Sequence, residues 1–487
     1  MIRTLRKSLA ALFLLLVAAS ATAATPQADA LLKRVSQAMG AEPVQSLKYT
    51  AEGTGYTFGQ AYVPDMPWPM ITVHSQVRTI NYETGSMREE ITISRAEPKG
   101  GGGYPLSGQQ KNDQYVSGDS AWNVAGGNPV AGPRFVADRV HQLWITPHGI
   151  VRAAQKNGAK VDFVKRDGKP FAAVSFTQPG AFSAVAYVNA DNLVEQVESR
   201  VPEAVNGEIT VVTRYSDYRD FGGLKFPSSI QQWTAGHPTL EVTVKEVVAN
   251  APADIPVPDA VRGAGEKIAT EKVADGVWFI GGGTHNSVAI EMKDHMVLVE
   301  APLNDGRAVP VLQEVAKLAP GKPLRYVINS HQHHDHAGGL RAAAAEGATI
   351  VTQAANRPYL EKAFSTPVSI KPDRFAQKQA KAKFLEVKDQ HTMTDGTRTI
   401  EIQRINDSVH NDTFLMVYLP KEKILIEADA YTPLPPNAQP PATPNANNVN
   451  LVENIEKKKL AVDKILPLHG RVVPAADLYA TAKMTPK

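Results

Sequence analysis

The apolar pattern of the chain changes character across one short segment, Asn250 to Asp259, where Pro252, Pro256 and Pro258 stand among small and acidic residues. Prolines this closely spaced cannot continue a helix or a central strand, so 251–261 reads as a linker dividing the chain in two. Ahead of it, over 25–250, short segments alternate apolar and polar residues with period two: Ser46 to Tyr56, Val73 to Tyr82, Arg88 to Arg95, Ala172 to Thr177, Ala184 to Val188, Glu208 to Tyr218 and Thr239 to Val248. Turn signals at Lys99 to Gly103 and Asp167-Gly168 separate them, which predicts a mainly antiparallel β domain. Helical spacing of Ala30, Leu31, Val35, Ala38 and Met39, stopped by Gly40, predicts an opening helix, and a second helical interruption falls between Ala137 and Lys156. Beyond the linker, over 262–487, the strands Val277 to Ile280, Ser287 to Met292, Met296 to Val299, Leu324 to Asn329 and Thr349 to Thr352 are interleaved with helical stretches at Ala308 to Leu318 and Gly339 to Glu346. That order predicts an α/β domain with helices on sheet faces.

The first 24 residues read as a cleaved secretory signal, with Arg3, Arg6 and Lys7 ahead of an apolar stretch from Leu9 to Ala19 and small residues to Ala24. The stretch is shorter than the roughly 20 residues of a spanning helix. The expectation is a periplasmic or secreted protein without stable membrane insertion. A chain without cysteine has no thiolate metal site, no cysteine nucleophile and no lipid-modified cysteine. Removing the three basic residues of the leader brings the 52 basic residues level with the 49 acidic ones. A neutral mature chain offers no electrostatic footprint for nucleic acid. The glycine run Gly100 to Gly103 lacks a following Lys-Ser pair and reads as a loop rather than a phosphate cradle.

The chemistry concentrates in His331-Gln332-His333-His334-Asp335-His336, directly after the apolar strand Leu324 to Asn329 and before Gly338-Gly339. In extended backbone, residues two apart face the same way, so His331 and His333 can chelate one ion while Asp335 and His336 turn toward a second. Imidazole and carboxylate suit zinc best, with iron or manganese also open. His410 precedes the strand Phe414 to Leu419, Asp429 follows Ile424 to Ile426, and His469 follows Lys464 to Leu468. Four strand ends each deliver a ligand-type side chain, which is how an α/β scaffold assembles a site from distant segments. Every candidate ligand lies beyond Val261, so the centre is expected to be self-contained in the C-terminal part.

His-x-His-x-Asp-His followed in order by His, Asp and His resembles the metallo-β-lactamase superfamily over about Ile268 to Val473. The resemblance implies an αβ/βα sandwich with the metals at one edge. It implies that His331, His333 and His410 bind one zinc, that Asp335, His336 and His469 bind a second, and that Asp429 bridges them. Glu300 stands where many members carry an aspartate, a departure that puts no metal ligand in doubt. Asp429 stands where the main zinc β-lactamases carry cysteine, as it does in lactonases, thioesterases of the glyoxalase II type and general hydrolases. The segment from His410 to Pro420 looks like its β-lactamase counterpart and keeps lactam hydrolysis open. The implied reaction is attack of a metal-bridging hydroxide on the carbonyl of a small ester, lactone, thioester or amide, with Asp335 as catalytic proton carrier.

His285, in the turn Gly281 to Ser287, and Tyr431, two residues after Asp429, are candidate substrate contacts. The Pro- and Asn-rich segment Pro433 to Asn448 is a candidate lid. In the N-terminal part, the run Tyr215 to Pro227 and the opening helix resemble the half-barrel of periplasmic lipoprotein carriers. That resemblance implies an apolar ligand, and leaves a second class of function open: a lipoprotein-handling module whose metal site is structural.

Overall fold

The computed structural model describes residues 24–96 and 108–486. The leader up to residue 23 and the glycine run Gly100 to Gly103 lie outside the described residues. The opening helix, Pro26–Met39, starts at Thr25, whose hydroxyl accepts the Ala28 N–H at 3.3 Å, and stops at Gly40 in the left-handed conformation (φ 65°). A side chain at Gly40 would collide with the Gly223 carbonyl, so glycine there serves close packing as well as the turn.

Among the described residues, the N-terminal domain holds one antiparallel sheet of thirteen strands. Six strands run as a meander from Ser46–Tyr56 to Asn128–Ala131, and seven more from Lys160–Arg166 to His237–Ala249. The two runs join where the first strand pairs with the last, Leu47 opposite Ala249. The expected helical interruption consists of two helices, Val136–Trp144 and Pro147–Lys156. Together with the opening helix they cover the apolar face of the sheet, burying Leu31, Leu32, Val35, Leu143 and Ile150 against Leu47, Val174 and Phe226. Strands such as Gln110–Ser117 and Val194–Glu203 carry so many polar residues that their alternation is hard to read in sequence.

The C-terminal domain has two sheets packed face to face. One runs from Ala269–Ala274 through Met296–Val299, Leu324–Ile328 and Thr349–Gln353 to Lys383–Val387, antiparallel at first and parallel from Met296 onward. The other holds Thr399–Arg404, Leu415–Leu419, Ile424–Glu427 and Lys464–Pro467. Alternate residues of one strand serve different layers: Val297 and Val299 point between the sheets toward Ile402 and Ile426, while Met296 and Leu298 meet the helices Asp305–Leu318 and Leu340–Ala345. Both faces are therefore apolar, as a sheet covered on both sides requires.

The sandwich edge is built for close approach. His334–Ala337 forms one short helix turn, and Gly338 and Gly339 follow it where the chain passes against the loop after Met296–Val299. A Cβ on Gly339 would stand 2.6 Å from the Ala301 carbonyl oxygen, and one on Gly338 would overlap the Leu303 carbonyl. We expect Gly338→Ala to force the motif turn away from this loop, costing about 1–3 kcal/mol and lowering metal affinity with it. Thermal melting and metal titration of the full chain check both effects; an unchanged melting curve would show that the loop yields freely.

Candidate metal centre

Every residue that the sequence reading assigned as a ligand arrives at this edge from the end of a strand. His331, His333, Asp335 and His336 follow Leu324–Ile328, His410 stands in the loop before Leu415–Leu419, Asp429 follows Ile424–Glu427, and His469 follows Lys464–Pro467. Backbone bonds between the two sheets fix these ends relative to one another: Leu415 N–H donates to Ser330 O at 2.7 Å, and Asn286 N–H to Leu468 O at 2.8 Å. Two groups of side chains result, His331, His333, His410 and Asp429 in one, and His285, Asp335, His336 and His469 in the other, each with its ligand-type atoms within 4.8 Å of one another.

Asp429 stands between the groups. Its Oδ2 is 3.0 Å from His410 Nε2, 3.3 Å from His331 Nε2 and 3.0 Å from His336 Nε2, and its Oδ1 is 2.8 Å from His469 Nε2. His331 Nε2 and His410 Nε2 are 3.3 Å apart, and His336 Nε2 and His469 Nε2 3.2 Å. A tetrahedron with metal–donor bonds of about 2.0–2.2 Å has edges of roughly 3.3–3.6 Å, and the donors stand close to that spacing.

The outer nitrogens decide which ring atoms face inward. His469 Nδ1 meets the Thr284 carbonyl at 3.0 Å, and His333 Nε2 meets the Ala61 carbonyl at 3.0 Å; a carbonyl only accepts, so both nitrogens carry the proton. His336 Nδ1 lies 3.2 Å from Glu300 Oε2 and donates to it. In the neutral rings, bare lone pairs are therefore left on His469 Nε2, His336 Nε2 and His333 Nδ1. His333 Nδ1 is buried without a hydrogen-bond partner. With the rings neutral these acceptors converge with no donor between them, an arrangement that protonation of one ring relieves in part and that a bound cation satisfies. Glu300 has a structural role here that sequence reading missed: it is fully buried, with a backbone φ of 66°, and its second oxygen takes the Ser330 N–H at 2.5 Å.

Burial sets the charge states. It presses His331 down to about 3 and His333 well below the usual imidazole range, so both rings offer lone pairs at neutral pH. Burial opposes charge on Asp429 and Asp335 too, but the neighbouring imidazoles outweigh it and hold both carboxyls well below their ordinary range. At His336 the order reverses: burial disfavours the cation, yet Asp429, Asp335 and the bond to Glu300 raise it well above 6.5.

His285 is drawn deeper than a rim contact. Arg134 donates to Thr284 Oγ1 at 3.1 Å, and Thr284 Oγ1 gives its own proton to His285 Nδ1 at 2.9 Å, so His285 Nε2 carries a proton and donates to Asp335 Oδ2 at 3.0 Å. Burial keeps this ring neutral by lowering it to about 4, against the pull of Asp335. Tyr431 leaves the candidate set: it is 1% exposed, packs in the core between sheet and helices, and faces Thr481 of the helix Ala475–Ala482 rather than the histidines. The lid segment is shorter than expected, because Ala446 to Asn448 already belong to the helix Ala446–Lys457. Its start, Pro433, rests against Gly470 beside His469, and residues 435–443 are exposed.

The centre is not self-contained in the C-terminal domain. Gln60, on the N-terminal segment between Ser46–Tyr56 and Met70–Asn81, donates from Nε2 to Asp335 Oδ1 at 2.7 Å. The buried Ala61 carbonyl takes His333 Nε2, Gln332 Nε2 at 2.9 Å and Asn411 Nδ2 at 3.3 Å. Tyr62 OH donates to Ser408 O at 2.7 Å, and its carbonyl receives the Asp412 N–H at 3.0 Å. His334, the member of the histidine run outside both groups, faces Glu203 at 3.2 Å and Tyr359 OH at 2.8 Å and packs on Phe58. None of these N-terminal residues carries a motif; only the folded chain brings them here.

Residues 280–467 match the family model described as the Metallo-beta-lactamase superfamily. The C-terminal domain is therefore a metallo-β-lactamase fold domain, of a superfamily of metal-dependent hydrolases. No curated protein matches the chain. Among solved structures it is similar to a metallo-beta-lactamase from Pontibacter korlensis (17% identity, 45% of this chain and 98% of that one, TM-score 0.35). It is also similar to the FIM-1 metallo-beta-lactamase from Pseudomonas aeruginosa (19%, 45% and 94%, 0.33) and to one from Hirschia baltica (23%, 45% and 99%, 0.34).

A metal-free chain keeps a proton on His336 at pH 7, which a divalent ion must displace. Against the opposing effect of burial, Asp429 raises His469 as well, so metal uptake should release at least one proton at pH 7, and affinity should fall as the pH is lowered. Calorimetric titration in buffers of different ionisation enthalpy counts the protons; zero release at pH 7 would contradict the assignment.

Proposed function

We propose that the protein is an exported binuclear zinc hydrolase that cleaves a carbonyl compound such as an ester, lactone, thioester or amide. The observation that carries this reading is the convergence of four imidazole Nε2 atoms on both oxygens of one buried aspartate, with the outer nitrogens of His336 and His469 tied to acceptors. A proton-bearing polar cluster would alternate donors and acceptors, whereas this one turns its donors outward. His331, His333 and His410 would hold one ion, Asp335, His336 and His469 the other, and Asp429 both. The donor set of nitrogen and oxygen suits zinc, with iron or manganese as the other candidates. Bound there, divalent ions supply Lewis acidity toward a carbonyl oxygen and a nucleophile from water near neutral pH.

The chain's own residues do the rest. The Asp335 side chain is 28% exposed and His469 19%, against 5% or less for His331, His336, His410 and Asp429, so substrate reaches the centre from the Asp335 and His469 side. The side chain of Asp335 remains ionised, oriented by Gln60 at one oxygen and His285 at the other, and is placed to take a proton from the attacking water and return it to the leaving group. The buried histidine positions exclude bulk water from the other side. The segment 435–443 beside His469 is a candidate lid over the same opening. Export is supported by the leader pattern.

The test is metal analysis of the purified full chain followed by a panel of ester, lactone, thioester and β-lactam substrates; two divalent ions per chain and hydrolysis of one class are expected. Asp429→Ala should leave one ion or fewer and lower kcat by more than about 100-fold, with the activity profile moved to higher pH. Retention of two tightly held ions and a normal profile would remove Asp429 from the bridging role.

A further inference from the structure

We infer that the N-terminal domain builds part of the metal centre, with Gln60 and the Ala61 carbonyl as positioning groups for one ligand of each ion, so that full metal occupancy depends on the two domains being docked. The inference rests on the metal-centre reading above and extends it to residues more than 200 positions away in sequence. The Ala61 carbonyl accepts from three side chains, and one of them is the ring nitrogen that fixes the tautomer of His333. Without that acceptor, His333 loses the reason to keep its proton on Nε2, and the lone pair on Nδ1 is no longer assured. Gln60 acts on the other ion: its amide holds Asp335 Oδ1 while His285 holds Oδ2, so the carboxylate cannot rotate. Tyr62 anchors the segment to Ser408 and Asp412 on either side of His410, and Gly59, with φ 75°, lies against the His334 ring, where a side chain would collide. A docking surface alone would not need to place a carbonyl on one ligand and an amide on another; these contacts fall on the groups whose orientation sets metal affinity.

The experiment compares the full-length wild type with Gln60→Ala, Tyr62→Ala and, as a control on the same segment, Met66→Ala, whose side chain is exposed. Zinc affinities are measured by competition with a chromophoric chelator, ligand geometry by the visible spectrum of the cobalt(II) form, and folding by thermal melting without metal. Gln60→Ala should weaken the second ion by about 10–100-fold, alter the cobalt(II) spectrum and leave the first ion bound. Tyr62→Ala should weaken the first ion, and nitrogen NMR of the metal-free chain should show His333 moving from the pure Nε2–H tautomer in wild type to a mixture. Met66→Ala should match wild type. Wild-type affinities and spectrum in Gln60→Ala, with an unchanged His333 tautomer in Tyr62→Ala, would overturn this inference while leaving the metal centre intact. A wild-type chain that takes up no metal would overturn both.

Discussion

Four imidazole nitrogens, the Nε2 atoms of His331, His336, His410 and His469, converge on the carboxylate of Asp429, and the rest of the C-terminal domain is arranged to make that possible. Left alone, imidazole lone pairs 3.2–3.3 Å apart and facing a carboxylate at 2.8–3.3 Å are mutually repulsive. A proton relieves the repulsion at one position, which is why the acids around His336 raise it, but a single proton cannot serve two groups. A pair of divalent cations can, and the outward-facing nitrogens are tied to Thr284, Glu300 and Ala61 so that the inward ones stay bare.

The cost of holding such a cluster together in buried surroundings explains features that would otherwise look incidental. Gly338 and Gly339 bring the motif turn against the preceding loop, and Glu300 keeps a left-handed backbone in order to reach both Ser330 and His336. The N-terminal domain belongs to the same account. Its thirteen-stranded sheet is covered on its apolar face by its own helices, and the segment leading out of its first strand reaches across to the centre. Gln60, Ala61 and Arg134 make the domain a wall of the site.

Much of the centre was legible in the sequence because metal ligation demands particular side chains at particular chain positions. His331, His333, Asp335 and His336 are close in sequence and follow a strand, while His410, Asp429 and His469 each follow or precede an apolar run that marks a strand end. The same reasoning failed where function depends on groups that any residue can supply. A backbone carbonyl, as at Ala61, has no signature, and a single glutamine in a loop has none either. Tyr431 failed for the opposite reason: proximity to Asp429 in sequence suggested the site, but the chain turns after the strand and buries the ring toward Thr481. In the N-terminal domain, strands rich in polar residues hid their period, so the sheet is larger than the alternation alone indicates.

The most direct measurement is anomalous diffraction at the zinc absorption edge from crystals of the full chain grown with zinc. The account predicts two peaks: one bounded by His331 Nε2, His333 Nδ1, His410 Nε2 and Asp429, and one by Asp335, His336 Nε2, His469 Nε2 and Asp429, with His333 Nε2 still on the Ala61 carbonyl. No peak between these side chains, or an ion bound through His333 Nε2, would contradict it.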